Sequence, residues 1–284
     1  MDALVSTPTE DRYVNVRNLR FHYRVAGDPS NPPVVVLHGI MGHAREWDVL
    51  VGRLAATHRV LAVDQRGHGE SDWVEEYTAS VMADDLLALV EALDLGRPNV
   101  IGHSMGAMAA MLAAARRPEV VERLVVIDIG PDSVSSELAR QLRQFVESLA
   151  AASYRSVDDA LAVWTGDPLT QPQLLRHYVE HGLVADADGR YAWRFDCVGL
   201  TRFFDGVGEH ELWDAVDHIE CPVLVVRGEH SPILSVETAS EMVRRLSDGR
   251  LAVIPNGSHD LGVQQPEAVG DAVARFLEQR PPHR

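Results

Sequence analysis

Short, largely apolar runs recur along the chain at residues 34–38, 60–64, 99–103, 121–128 and 222–227. Each is rich in Val, Leu or Ile and is bounded by Gly, Pro or charged residues. A run that does not alternate with polar residues predicts a strand covered on both faces, as in a parallel sheet. Between these runs the apolar positions recur with helical spacing. Trp47, Leu50, Val51 and Leu54 mark one stripe within residues 44–57. Residues 80–95 are amphipathic and stop at Gly96, and an Ala- and Met-rich helix is predicted from Met105 to Arg117. Before the first run, residues 13–26 read as two short strands joined at Arg17 and Asn18. After the last come a helix (235–246), a strand (251–254) and a closing helix from about Pro266. Strands alternating with helices predict a mostly parallel, doubly wound α/β sheet.

The alternation breaks at Gly130 and Pro131. From 132 to 218 no buried strand is expected, only helical stretches. Residues 136–152 carry Leu138, Leu142, Phe145 and Leu149 on one stripe. Shorter helices are expected at 158–164 and 171–181. Asp188 and Gly189 form a turn signal, with residues 190–196 extended after it. The reading is a core domain of residues 1–131 and 219–284, with a helical cap (132–218) inserted after strand six.

Composition narrows the chemistry. The formal charge is −16, which argues against nucleic acid and anionic membrane surfaces as partners. All 26 basic residues are Arg, so serine–lysine dyads, lysine Schiff bases and a phosphate-loop lysine are excluded. Two cysteines provide no disulfide framework, and Cys221 reads as a small core residue. Neither a signal peptide nor a membrane span is expected. These features suggest a cytoplasmic protein, monomeric or homodimeric.

The chain is organised around residues 99–107, where an apolar strand runs into Gly102-His103-Ser104-Met105-Gly106 and a helix follows. A serine projects from the top of a sheet only if the strand-to-helix turn is very sharp. Such a turn leaves no room for side chains two residues either side, and glycines at 102 and 106 remove them. The helix then points its free N–H groups at the place where negative charge would form.

His38-Gly39 after a strand, Asp64-Gln65-Arg66-Gly67-His68-Gly69-Glu70-Ser71, the Ser104 pentapeptide and Gly257-Ser258-His259 together resemble the α/β-hydrolase fold family over nearly the whole chain. The resemblance implies a serine hydrolase of small-molecule carboxylic esters that needs neither cofactor nor metal. Ser104 would be the nucleophile and His259 the general base. The backbone N–H groups of Ile40 and Met105 would form the oxyanion hole. Asp64 and Arg66 are expected to tie their loop, and His38 and His103 to brace turns. Members of this family usually place the acid in a Gly-x-x-Asp stretch, but here Gly228 is followed at that position by Ser231. A hydroxyl cannot carry the charge that stabilises an imidazolium. Asp128, after strand six, is the favoured acid, as in a subset of esterases that pairs it with a serine at the later position. Glu229 is the alternative, and Asp260 adjoins His259 too closely to reach its ring. Ser231 is either a helper to Asp128 or His259, or a turn residue.

The pocket is expected between cap and sheet, lined by Ile40, Met41, Met105, Trp164, Trp193, Phe195, Phe203 and Phe204. Thioesterase, lactonase, carbon–carbon hydrolase and cofactor-free perhydrolase chemistry remain open, as does a ligand receptor that retains the serine site. His177-Tyr178-Val179-Glu180-His181 matches a zinc-protease pattern, but it lies in the cap with no third ligand signalled and reads as a helix face. The residues 186–189 read as a turn and not a calcium loop.

Overall fold

The computed structural model describes residues 7–135, 137–164, 167–205 and 208–279. Strands β1 (Glu10–Val16) and β2 (Leu19–Ala26) form a hairpin. Its two turn residues, Arg17 and Asn18, both have positive φ (51° and 62°), the two-residue turn that matches strand twist. Next come β3 (Pro33–Leu37), a 3₁₀ turn at Ala44–Trp47 leading into α1 (Asp48–Leu54), β4 (Arg59–Val63) and α2 (Ala79–Ala92). They are followed by β5 (Asn99–His103), α3 (Met105–Arg116) and β6 (Arg123–Ile127). The sheet order is β1-β2-β4-β3-β5-β6, completed by β9 (Val223–Gly228) and β10 (Gly249–Ile254). Pairing is parallel from β4 to β10; only the β1 and β2 edge is antiparallel. The architecture is the α/β-hydrolase fold expected from the sequence.

Both faces of the sheet are covered, which is why its strands read as continuous apolar runs. Val34 and Val36 pack into a core with Trp47, Leu50, Leu54, Val269 and Phe276. Val35 and Leu37 point into the opposite core with Leu86, Met111 and Leu212. α1 and α10 (Pro266–Glu278) cover the first face. α2, α3 and α7 (Glu209–His218) cover the second.

Residues 132–218 carry α4 (Glu137–Ser148), α5 (Val157–Val163), α6 (Pro172–Gly182) and α7. They also hold a two-stranded ribbon, β7 (Leu183–Ala185) with β8 (Tyr191–Trp193). The ribbon supplies strand pairing that the helical reading of this segment lacked. Its turn is closed by the Asp186 carboxylate, which accepts from the N–H groups of Asp188 and Arg190 (both 2.9 Å). The extended chain after β8 is stitched onto the 65–72 loop. Gly69 N–H donates to the Arg194 carbonyl (2.7 Å), Asp196 N–H to the Gly67 carbonyl (2.9 Å), and the Tyr77 hydroxyl to Asp196 (2.9 Å). On α4 the buried position is Val146, and Phe145 is 44% exposed. The stripe read with Phe145 is therefore corrected to Leu138, Leu142, Val146 and Leu149; Phe145 instead leans on Trp164 (ring centroids 5.5 Å).

Asp64 and Arg66 tie their loop as expected, each through its own partners. Asp64 holds its loop through the N–H groups of Ala44 (2.6 Å) and Glu70 (3.0 Å) and through His22 Nδ1 (2.7 Å). Arg66 turns the other way and grips Asp85 of α2 with two hydrogen bonds (2.5 and 2.7 Å). Both side chains of that pair are 5% exposed, so removing one strands a buried charge. Asp85→Ala is expected to lower the unfolding free energy by about 3–5 kcal/mol. Urea titration followed by circular dichroism reads this as a lower midpoint at unchanged slope.

Candidate active site

Adjacent strands end almost level, and that register gathers the polar residues. Gly102 of β5 pairs with Leu37 of β3, and His103 with Ile127 of β6. Ile127 in turn pairs with Val226 of β9. The next residue out of β5 is Ser104 and the next out of β6 is Asp128. Their backbone N–H groups continue the ladder, to the carbonyls of Ile127 (3.1 Å) and Val226 (2.8 Å). β4 and β5 lie on opposite sides of β3, so the strand order reverses here, where open α/β sheets place their crevices.

Ser104 has φ 49° and ψ −117°, a conformation costly for any L residue. The two glycines allow it. A Cβ on Gly102 would lie 2.5 Å from Ala107 Cα, and one on Gly106 would lie 2.6 Å from the His38 carbonyl. The loop after β10 brings His259 over the turn. The Ser104 hydroxyl donates to His259 Nε2 (3.2 Å), and His259 Nδ1–H donates to Asp128 Oδ2 (2.9 Å). Asp128 is fully buried and also accepts from Gly228 N–H (2.8 Å) and the Ser231 hydroxyl (2.6 Å). Burial alone would lower the His259 pKa; the Asp128 hydrogen bond and charge outweigh it, and the net shift is upward. Glu229, by contrast, is half exposed and accepts from Asn256 N–H (2.9 Å) instead of reaching His259.

Ser231 also accepts from the N–H groups of Ile233 (3.2 Å) and Leu234 (3.0 Å), so it is both a turn residue and a partner of Asp128. Ser231→Ala is expected to lower kcat/KM for a small ester about tenfold, the worth of one hydrogen bond to a charged group. Steady-state kinetics beside a thermal melt separates this from unfolding.

His38 donates from Nδ1 to the Gly39 carbonyl (2.7 Å), and its Nε2 accepts from Gln65 N–H (3.0 Å). Burial takes its pKa down to about 3, so it stays neutral while bracing the Gly39–Ile40 turn. His103 donates from Nε2 to the His259 carbonyl (3.0 Å), and its ring lies 4.8 Å from that of His259. Its Nδ1 is buried without a hydrogen-bond partner among the described residues, 3.7 Å from Glu46 Oε1. Burial lowers the His103 pKa and raises that of Glu46. Glu46 was missed in the sequence. The signal for it was its place four residues before Leu50, on the buried stripe of the helical stretch.

Ser104 opens into a cavity that is partly open to solvent. Ile40, Met105, Met108, Ile129, Phe203 and Phe204 are among the residues that line it. A second cavity shares Ile40 and holds Met41, Trp164, Glu46, Thr170, Tyr178 and Asp260. Of the eight residues expected to line a pocket, Ile40, Met105, Phe203 and Phe204 adjoin Ser104, and Met41 and Trp164 line the second cavity. Trp193 and Phe195 line neither. They are 3% and 2% exposed and pack on one another (5.7 Å), buried within the inserted segment.

A ring nitrogen of His103, one of His259 and an Asp260 carboxylate oxygen lie within 4.8 Å of one another. His259 is already engaged by Asp128 and Ser104, so an ion held there would compete with the contacts that align it. His177 of the H-x-x-E-H stretch is spent on the Arg45 carbonyl (3.1 Å) and lies near Asp48.

A strained serine hydrogen-bonded to a histidine, itself oriented by a buried carboxylate, can lose its proton to the imidazole and attack a carbonyl carbon. With the sheet beneath it, this defines an esterase-type hydrolase. The family model for the alpha/beta hydrolase fold matches residues 32–266, and the chain belongs to that family. It is 30% identical to esterase YbfF of Escherichia coli over 251 residues, covering 87% of this chain and 94% of the relative. It is 29% identical to esterase Rv0045c of Mycobacterium tuberculosis over 260 residues, covering 88% and 84%. Among solved structures, that of E-2-(acetamidomethylene)succinate hydrolase matches with a TM-score of 0.85 at 27% identity, over 96% of this chain and all of that one.

Proposed function

We propose that the protein hydrolyses carboxylic esters of small to medium, largely apolar substrates through an acyl-enzyme on Ser104. The observation that carries this reading is the hydrogen-bonded line from Ser104 Oγ through His259 to Asp128, at the mouth of an apolar cavity. His259 Nε2 takes the hydroxyl proton as Ser104 Oγ bonds to the ester carbon, and the carbonyl electrons move onto oxygen. The N–H groups of Ile40 and Met105 face that oxyanion. The tetrahedral species collapses, the C–O bond to the alcohol breaks, and His259 returns the proton to the leaving alcohol. Water repeats the sequence and frees the acid. Asp128 keeps the proton on Nδ1 of His259 and stabilises the imidazolium. Residues 132–218 act as the cap that supplies Phe203 and Phe204 to the acyl side.

Glu46 and Asp260 in the adjoining cavity disfavour a dianionic succinate-type substrate, as named for the relative above. The test is hydrolysis of p-nitrophenyl acetate and butyrate, with mass spectrometry of the trapped protein. An acyl mass increment on the Ser104 peptide during turnover supports the reading. Turnover with no adduct, undiminished in Ser104→Ala, overturns it.

A further inference from the structure

The second cavity, which shares Ile40 with the first, has a different chemistry. The Glu46 side chain is 6% exposed, yet among the described residues its carboxyl has no hydrogen-bond partner. A buried polar group left unpaired is costly, and water or a ligand must satisfy it. Asp260 adds a second carboxylate to the wall, and Trp164 and Tyr178 add two aromatic rings 6.0 Å apart. No Arg lines this cavity, and the chain has no Lys. Arg45, next to Glu46 in sequence, is directed at Asp48 (3.5 Å). Burial raises the pKa of both carboxyls. A neutral polyol would satisfy their hydrogen bonds, whereas a cation would in addition favour their ionised form and be attracted by the aromatic faces. The field of a chain carrying −16 also concentrates cations at its surface.

We propose that this cavity is a subsite for an organic ammonium group, so that the favoured substrates are esters whose polar half carries an amine or quaternary nitrogen. The apolar half then occupies the cavity at Phe203 and Phe204. This rests on the ester-hydrolase reading for turnover, but not for binding.

The test compares butyrylcholine with 3,3-dimethylbutyl butyrate, which has the same shape with carbon in place of the charged nitrogen. Wild-type kcat/KM is expected to favour the charged ester by about tenfold or more, with the ratio falling as salt rises. In Glu46→Gln with Asp260→Asn the ratio should drop to near one. Asp260→Asn alone, which keeps the buried position intact, should lower it part of the way. A wild-type ratio of one or below, or a ratio unchanged in the variants, overturns the proposal. Choline binding to Ser104→Ala by calorimetry tests the subsite without turnover. Saturable binding that weakens in the Glu46→Gln background supports it even if esters are not hydrolysed. No choline binding at millimolar concentration overturns it even if they are.

Discussion

Ser104→Ala is expected to remove at least ~10⁴-fold of the kcat for p-nitrophenyl butyrate while leaving the circular dichroism spectrum and melting temperature close to those of the parent. The loss should be this large because, among the described residues, Ser104 is the hydroxyl hydrogen-bonded to His259. The Ser231 hydroxyl is committed to Asp128 (2.6 Å) and accepts two backbone N–H groups. Both flanking glycines remain, so alanine takes up the φ 49° turn at the same backbone cost as serine. Residual hydrolysis in the variant would come from the N–H groups and bound water alone. A loss smaller than tenfold would mean that the serine is not the attacking group.

Asp128→Asn is expected to cost roughly 10³–10⁴-fold in kcat, nearly as much, for a reason of proton placement. Asp128 receives three donors: Gly228 N–H, the Ser231 hydroxyl and His259 Nδ1–H. An amide has one acceptor oxygen to offer. With its oxygen on Gly228, its NH₂ faces His259 and favours the tautomer with the proton on Nε2, which can no longer accept from Ser104. The pH profile adds a check. The Asp128 hydrogen bond and charge raise the His259 pKa despite its burial. The base must be neutral to act, so the wild-type rate should fall on the acid side with a midpoint above the ordinary histidine value. In Asp128→Asn the largest raising partner is gone, only the Asp260 charge is left to oppose burial, and the residual rate should stay level to lower pH. The same linkage carries a stability term of opposite sense. A raised histidine pKa stabilises the fold below the unfolded value, and that contribution is lost as pH rises through the folded value.

Much of the fold could be read from sequence because burial on both sheet faces leaves an unmistakable pattern. Runs such as residues 34–37 or 223–227 have no alternation to be confused with. The turn at Ser104 was equally plain, since only glycine tolerates contacts of 2.5–2.6 Å two residues either side. Other features were harder for identifiable reasons. An aromatic residue in an inserted segment reads the same whether it lines a cavity or fills a core. Phe203 and Trp193 differ only in what the chain folds over them. Side-chain pairing across loops is also silent in sequence. Asp64 and Arg66 could be read as loop braces, but their partners could not: Asp64 holds Ala44, Glu70 and His22, while Arg66 holds Asp85. Val146 rather than Phe145 meets the core because the buried stripe of α4 steps four residues from Leu142 instead of three, a choice that helical spacing leaves open. Glu46 and Asp85 were legible in principle, as acids on apolar helical faces. Each marks a place where burial is balanced by something other than apolar contact: Arg66 for Asp85, and an open cavity for Glu46.

The stitching of residues 194–196 onto the 67–69 backbone gives the inserted segment two unequal margins. One is fastened by main-chain hydrogen bonds that any sequence with the same backbone would make. The other, where α4 and the 3₁₀ turn at Gly199–Asp205 bring Leu142, Phe203 and Phe204 to the serine, shows no such main-chain bond to the sheet among the described residues. Drift in the second margin can resize the acyl site without unfastening the first. The molecule thus separates an anchorage that must persist from a wall free to vary, and a library aimed at new acyl groups belongs on that wall.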